Sequence, residues 1–265
     1  MKISLVTVSY NAASTIADTM ESVRRQRLPE GVSLEYIVVD GASTDGTAAK
    51  IRECADQVEA GGGGLTFKWI SEKDQGLYDA MNKGIRMATG DVIGILNADD
   101  WLEDENVLGD VAKGFESGVD AVYGDVRFVR GKGKETVRYY SSRRWRPWMH
   151  NWGFMPAHPS VYVRREVFEK FGYYKLGYKI SADFEWMTRI FCRGKIKARY
   201  LPRCMVTMRL GGASTAGLKA MLKLNRENVR ANRENGYFCC LPMMLPKYLF
   251  KIWGVILPRI GWGRG

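Results

Sequence analysis

"DVIGILNADDW", residues 91–101, gathers Val92, Ile93, Ile95 and Leu96 into one short apolar run, then stops it at two adjacent carboxylates, Asp99 and Asp100, followed by Trp101. The run reads as a buried strand. Neighbouring like charges at a strand end repel and are partly desolvated, so the pair is unfavourable unless a cation or donor groups offset it. The alternative is a turn in which Asp100 caps a helix over "WLEDENVLGDVAKGF", residues 101–115.

The same pattern of strand, polar tip and helix recurs on the N-terminal side. "KISLVTVS" (2–9) precedes the helix-spaced Ile16, Met20 and Val23; "LEYIVVD" (34–40) precedes "GASTDGTAAKIRECA"; "LTFKWIS" (65–71) precedes "YDAMNKGIRMA". Such alternation specifies an α/β fold with a mostly parallel sheet and helices on both faces. Ligands in these sheets bind beyond the carboxyl ends of the strands. Thr7, Ser9 and Asn11, then Asp40 with Ser43 and Asp45, then the "SEKDQG" loop, then Asp99 and Asp100 therefore form one polar constellation. "GGGG" (61–64) precedes a strand and reads as a flexible loop, not a phosphate cradle, which belongs between strand and helix.

On the C-terminal side, "VDAVYGDVRF" and "KETVRYY" read as antiparallel strands around a Gly/Lys turn, and "RRWRPWMHNWGFMPAHPS" as an irregular aromatic and basic loop. Helix resumes at "REVFEKFG" and at "SADFEWMTRIFCRG", where Phe184, Met187, Ile190 and Phe191 keep helical spacing. Asp183 falls at the start of that helix, where the dipole favours its ionised form; capping alone also explains an acid there.

With 265 residues, 46% hydrophobic, the chain can bury one large core. Its net charge of +11 conceals a division: residues 1–126 hold 11 Lys and Arg against 22 Asp and Glu, and residues 127–265 hold 29 against 7. The basic half points to a polyanion, either phosphate groups or an anionic membrane surface. Five cysteines without a CxxC pair and only two histidines argue against a zinc site and fit a reducing compartment. "MKISLVTVSY" runs straight into a strand pattern, leaving no room for a signal peptide, so a cytoplasmic location is expected.

Taken in order, "VTVSYNAASTI", "IVVDGASTDGT", "SEKDQGLYDAMNKGIRMATGDVIGILNADDW", "HPSVYVRREVFEKFG", "SADFEW" and "MRLGGAST" resemble the family 2 glycosyltransferases over about residues 1–215. The resemblance implies the GT-A fold, a Rossmann-like, mostly parallel central sheet flanked by helices, and hexosyl transfer from a nucleotide diphosphate sugar. "YDAMNKG" and "GGAST" look especially like bacterial enzymes that build O-antigen lipopolysaccharide, capsule or exopolysaccharide. It divides the chain into a nucleotide-sugar-binding half (1–126), an acceptor-binding half (127–215) and a C-terminal helical extension (216–265).

By resemblance "NADD" occupies the DxD metal-binding segment, with Asn97 at its first position. Asp99 and Asp100 would then divide the donor ribose and a divalent cation between them. Mg²⁺ or Mn²⁺ suits such oxygen ligands and bridges a carboxylate to a diphosphate. Asp40 corresponds to a base contact, which suggests UDP, while Thr7, Ser9, Asn11, Ser43 and Asp45 would surround base and ribose, or serve as turn residues. Asp74, Gly76 and Tyr78 align with a segment near donor and acceptor. Asn82 and Lys83 would support the diphosphate, although a solvated helix face explains Lys83 equally well. Asp183 takes the general base position of the family's "ED" segment, with Ala182 replacing the preceding acid. His158, followed by Pro159 where relatives have Gln, would contact diphosphate or acceptor, or be structural. Arg209 would clamp phosphate, or pair with a surface carboxylate.

In the extension, "KYLFKIWGVILP" (247–258) carries a narrow basic stripe on a wide apolar helix, interrupted as a membrane span by lysines and prolines. An interfacial helix follows, suited to a polyprenyl-diphosphate-linked or other saccharide acceptor; packing on the catalytic domain is the alternative. A nucleotidyltransferase would share nucleotide and metal use, and a basic nucleic-acid-binding protein would explain the charge but not the acidic strand tips.

Overall fold

The computed structural model describes residues 1–61, 65–130, 135–210 and 218–248. Most of the glycine run, most of the Gly/Lys turn, the "GGAST" segment and the tail beyond Tyr248 lie outside the described residues.

Four parallel strands form the first half: β1 (Lys2–Ser9), β2 (Ser33–Asp40), β3 (Leu65–Ser71) and β4 (Val92–Asn97), in the order β3–β2–β1–β4. Helices α1 (Ile16–Arg24), α2 (Thr47–Gly61) and α3 (Leu77–Met87) connect them. Strand alternation separates two cores. Val6, Val8, Ile37, Val39, Ile93 and Ile95 pack with Met81 and Ile85 of α3. Ile3, Leu5, Tyr36, Val38, Val92 and Leu96 pack with Ile16 and Met20 of α1 and Ile51 of α2. Each such side chain contributes about 1.5–3 kcal/mol when fully buried, so both faces must stay covered. At Gly84 the backbone of α3 comes so close to β1 that any Cβ would collide with Val6.

Beyond β4 the sheet becomes mixed. β8 (Tyr162–Arg164) runs antiparallel to β4 and to β6 (Ala121–Arg130); β9 (Ala198–Arg209) is parallel to β6. β7 (Glu135–Tyr140) pairs antiparallel with β6, as the sequence predicts. The two-residue β5 (Trp101–Leu102) crosses to pair with the end of β9. This crossing stretches the Asp99–Asp100 turn between β4 and β9. The following helix, α4 (Val107–Phe115), starts only after Asn106, so Asp100 does not cap it.

Three helices complete the second half near the site. α5 (Arg165–Phe171) follows β8, and α6 (Ala182–Met187) continues as a wider π-helical stretch, Thr188–Arg193. α7 (Leu218–Glu234) packs against α6. Among the described residues, no helix is long and apolar enough to cross a membrane, and all five cysteines are free thiols.

Candidate active site

The tips of the first three strands meet at one buried carboxylate. Asp40 accepts from the Ser9 hydroxyl at 3.1 Å, the Ser71 hydroxyl at 2.7 Å, the Ser43 backbone N–H at 2.9 Å and the Ser43 hydroxyl. These four bonds use the full lone-pair capacity of a carboxylate. Neighbouring polar residues tie the β1–α1 loop to the β2–α2 loop. Asn11, in left-handed backbone geometry, donates its N–H to Ser43 Oγ and accepts from the Thr44 N–H; Asp45 accepts from the N–H groups of Ala13 and Thr47. The Thr47 hydroxyl bond, with those backbone bonds, lowers the Asp45 pKa. Thr7 is buried one residue pair deeper, accepting from the Tyr36 hydroxyl. Above this floor lies Asp74, whose Oδ1 accepts from the Gly76 N–H. A Cβ on Gly41 would sit 2.5 Å from Asp74 Oδ2, so glycine admits that close approach. Gly76, at φ +113°, then turns the chain into α3.

The carboxylate pair lies beside this floor. Asp100 is 1% exposed, with Oδ2 accepting from Asn97 Nδ2 at 3.1 Å and its carbonyl accepting from the Thr19 hydroxyl at 2.7 Å. Burial, then the adjacent Asp99 charge, pushes the Asp100 carboxyl up to about 8. Burial likewise raises Asp99. Arg209, at the end of β9, donates from Nε to the Asp99 carbonyl, pairs with Asp18 of α1 and lies over the Trp101 ring. The pair thus retains a shortage of positive charge that a divalent cation fits: two hard oxygen donors, held together and disfavoured as anions when alone. No cluster of three or more His, Cys, Asp or Glu forms a protein-only cage among the described residues. Diphosphate oxygens and water would complete such a coordination sphere.

A second pole is built from α3 and α6. The Tyr78 hydroxyl is 2.6 Å from the Ile180 carbonyl oxygen and 3.1 Å from Asp183 Oδ1. Asp183 also accepts from the Phe184 N–H, whereas the residue preceding α6 is Ser181. His158 Nε2 lies 2.8 Å from the Tyr174 hydroxyl, and the Tyr174 and Tyr78 rings are in contact. Burial lowers the His158 pKa despite the opposing pull of Asp183, leaving the ring neutral at neutral pH.

Other expected diphosphate groups face elsewhere. Asn82 is buried and exchanges both amide bonds with the Tyr174 backbone. Lys83 pairs with Glu72 and donates to the Lys73 carbonyl, bracing the loop before α3. Ser71 enters the sequence reading only as the first residue of the "SEKDQG" loop, with no contact of its own assigned; Tyr174, Asp18, Thr19 and Glu227 are missed there, because they gain meaning only through contacts between distant segments. Glu227 of α7 accepts the backbone N–H groups of Lys179, Ile180 and Ser181, immediately before Asp183.

Comparison with known proteins gives this arrangement a family. The model of glycosyl transferase family 2 matches residues 4–172. A PGL/p-HBAD biosynthesis glycosyltransferase of Mycobacterium bovis is 30% identical over 205 residues, covering 75% of this chain and 73% of its own. An uncharacterized glycosyltransferase of Mycobacterium tuberculosis is 29% identical over 197 residues, covering 71% and 68%. Among solved structures, Staphylococcus aureus TarS 1–349 with UDP-GlcNAc aligns at TM-score 0.65 and 15% identity, over 87% of this chain and 66% of that one. The chain spans only 39% of a longer TarS structure. The mannosyltransferase PcManGT of Pyrobaculum calidifontis, in complex with GDP-Man and Mn²⁺, aligns at TM-score 0.62 and 18% identity, over 96% and 72%. These likenesses establish the GT-A fold, and the sequence matches establish a glycosyltransferase in place of a nucleotidyltransferase or a nucleic-acid-binding protein. The chain belongs to glycosyl transferase family 2.

Proposed function

We propose that this enzyme transfers a sugar, with inversion, from a UDP-sugar to a saccharide or polyprenyl-diphosphate-linked acceptor in the synthesis of a bacterial surface polysaccharide. The observation that carries this reading is the pairing of two acidic poles, Asp99 with Asp100 at the end of β4 and Asp183 held by Tyr78 at the start of α6.

Uracil would enter over the strand tips, its N–H replacing one serine hydroxyl on Asp40, with Thr7, Ser9, Asn11, Ser43 and Asp45 shaping the floor for base and ribose. Asp74, Gly76 and Tyr78 would border the sugar. Asp99 and Asp100 would hold Mg²⁺ or Mn²⁺, which when bound supplies charge neutralisation for the diphosphate. Arg209 would exchange Asp18 for a phosphate oxygen; Asn82 and Lys83 would support the diphosphate indirectly by fixing α3 and its preceding loop. Asp183 accepts the acceptor hydroxyl proton as that oxygen bonds to the anomeric carbon. The bond from that carbon to the diphosphate oxygen breaks, and the nucleoside diphosphate leaves with the electron pair. Attack opposite the leaving group inverts the configuration. His158 and Tyr174 would border the acceptor by hydrogen bonding. The extension, 216–265, would hold the enzyme at a membrane surface, where a lipid-linked acceptor resides.

Asp183→Asn tests the assignment: donor affinity by calorimetry should persist while turnover falls by a factor of about 10² or more. Lost binding with normal turnover per bound complex would instead make Asp183 a donor ligand.

A further inference from the structure

Six of the eleven large apolar side chains exposed among the described residues belong to three neighbouring elements. Trp148 and Trp152 lie on the short helix Pro147–Trp152, Leu222 lies on α7, and Phe238, Leu241 and Leu245 lie on the segment after α7. Trp148 is 65% exposed, Phe238 78% and Leu245 61%. These elements form a joined structure: Cys239 Sγ bonds the Asn151 carbonyl, Asn232 Nδ2 bonds the His150 carbonyl, and Val229, Cys239 and Met244 share a small core. An isolated exposed leucine means little, whereas a clustered set on one scaffold marks an interaction surface.

Charge identifies the partner. Leu222, Arg226, Val229 and Arg233 recur at helical spacing on α7, and Arg226, Val229 and Arg233 line a cavity of about 310 Å³ together with Leu241. The acids of α7, Glu227 and Glu234, occupy a separate stripe seven residues apart. Both are already engaged, Glu227 by three backbone N–H groups and the exposed Glu234 by Lys175, Arg230 and the Tyr178 hydroxyl. Exposed Arg143, Arg144 and Arg146 adjoin the tryptophans, with no acid from residue 141 to 153. Apolar side chains, two tryptophans and exposed cations suit the headgroup region of an anionic bilayer.

We propose that this composite face, drawn from the middle of the chain and from α7 with its following segment, is the membrane-docking surface. The proposal rests on the membrane reading above, but not on the transfer chemistry. It gives α7 two stripes with two tasks: one binds the segment before Asp183, and the other meets lipid. Docking would place α7 between the bilayer and the segment that leads into Asp183.

The test uses the full chain, co-sedimented with phosphatidylglycerol-containing and pure phosphatidylcholine vesicles. Wild type should bind the former preferentially. The triple variant Trp148→Ser, Phe238→Ser, Leu245→Ser should bind at least tenfold less while melting like wild type, and Arg144→Glu with Arg226→Glu should remove the preference for anionic lipid. Truncation after Tyr248 should leave measurable binding, because this face precedes that point. Equal binding by wild type and the triple variant would overturn the surface and leave the membrane reading intact. No wild-type binding would overturn both. A wild-type dimer by light scattering that the triple variant dissociates would show a self-association surface and overturn the lipid assignment.

Discussion

Tyr78 and Asp183 stand 105 residues apart in sequence, yet the tyrosine hydroxyl lies 3.1 Å from the aspartate Oδ1 and 2.6 Å from the Ile180 carbonyl. One hydroxyl of α3, its single proton shared between two acceptors, therefore ties the carboxylate to the backbone that leads into it. Tyr78 is almost wholly buried, and burial with the Asp183 charge raises its pKa well above the usual phenol value, so it remains a donor throughout the working pH range.

Tyr78→Phe removes the donor without removing the ring. Hydrogen bonds to charged groups contribute about 1.5–3 kcal/mol, so turnover should fall by roughly tenfold or more. Donor affinity by calorimetry should change little. Unchanged turnover at saturating donor and acceptor would show that Asp183 does not depend on this hydroxyl.

Glu227 constrains the same segment from the other side. Its carboxylate receives the N–H groups of Lys179, Ile180 and Ser181 at 3.1, 2.9 and 3.0 Å. Glu227→Ala frees all three, and a displacement of about 1 Å at a reacting group is enough to cost on the order of 10² in rate. The variant should lose turnover with donor affinity retained. Glu227→Gln, which preserves an accepting oxygen, should recover part of it. Parallel losses in melting temperature and donor affinity would indicate a role in global stability alone.

The parallel half of the fold was legible because its code is local. Ile16, Met20 and Val23 repeat on α1, and buried strand runs end in polar residues, so strand tips could be named from the sequence. The mixed half was less legible. β8 has three residues, β5 has two, and their partners are far away in sequence. The site divides in the same way. Asp40, Asp74, Asp99 and Asp100 follow strands that announce them, whereas Tyr174 and Glu227 acquire their contacts only when α5, α6 and α7 pack. Asn82 shows the converse: its place in a recognisable motif suggested a ligand contact, but its amide is spent on the Tyr174 backbone.

At the opposite end of the sheet, Glu35 gives a pH-dependent stability prediction. It is fully buried; burial would raise its pKa, but Lys68, Ser4 and Thr89 outweigh that effect and hold it at about 2. A depressed carboxylate pKa contributes stability above the unfolded value near 4.5, and loses it as pH falls toward 2. At 1.36 kcal/mol per unit the contribution is roughly 3 kcal/mol. Glu35→Gln should therefore be less stable than wild type in urea at pH 7, and the gap should narrow on acidification below about 4.5. A pH-independent gap would assign its effect to shape or neutral hydrogen bonding.

Asp100 gives the opposite sign. Its carboxyl is raised to about 8 by burial first and by Asp99 second, against an ordinary value of 3.8. Between those values the unfolded chain ionises while the metal-free folded chain stays protonated, so stability falls as pH rises and levels off above about 8. Asp100→Asn eliminates that ionisation, keeps nearly the same volume and removes a repulsive neighbour of Asp99. Without metal, the variant should melt at a higher temperature than wild type, by a margin that grows from about pH 4 to about pH 8 and then stays constant. With Mn²⁺ and UDP the order should reverse, because a ligand that binds only the folded state stabilises it according to its concentration relative to Kd. Thermal melts across pH, with and without Mn²⁺ and UDP, provide the measurement. A variant equally stabilised by Mn²⁺ and UDP would remove Asp100 from the metal site, and a margin independent of pH would show that its carboxyl is not held protonated in the fold.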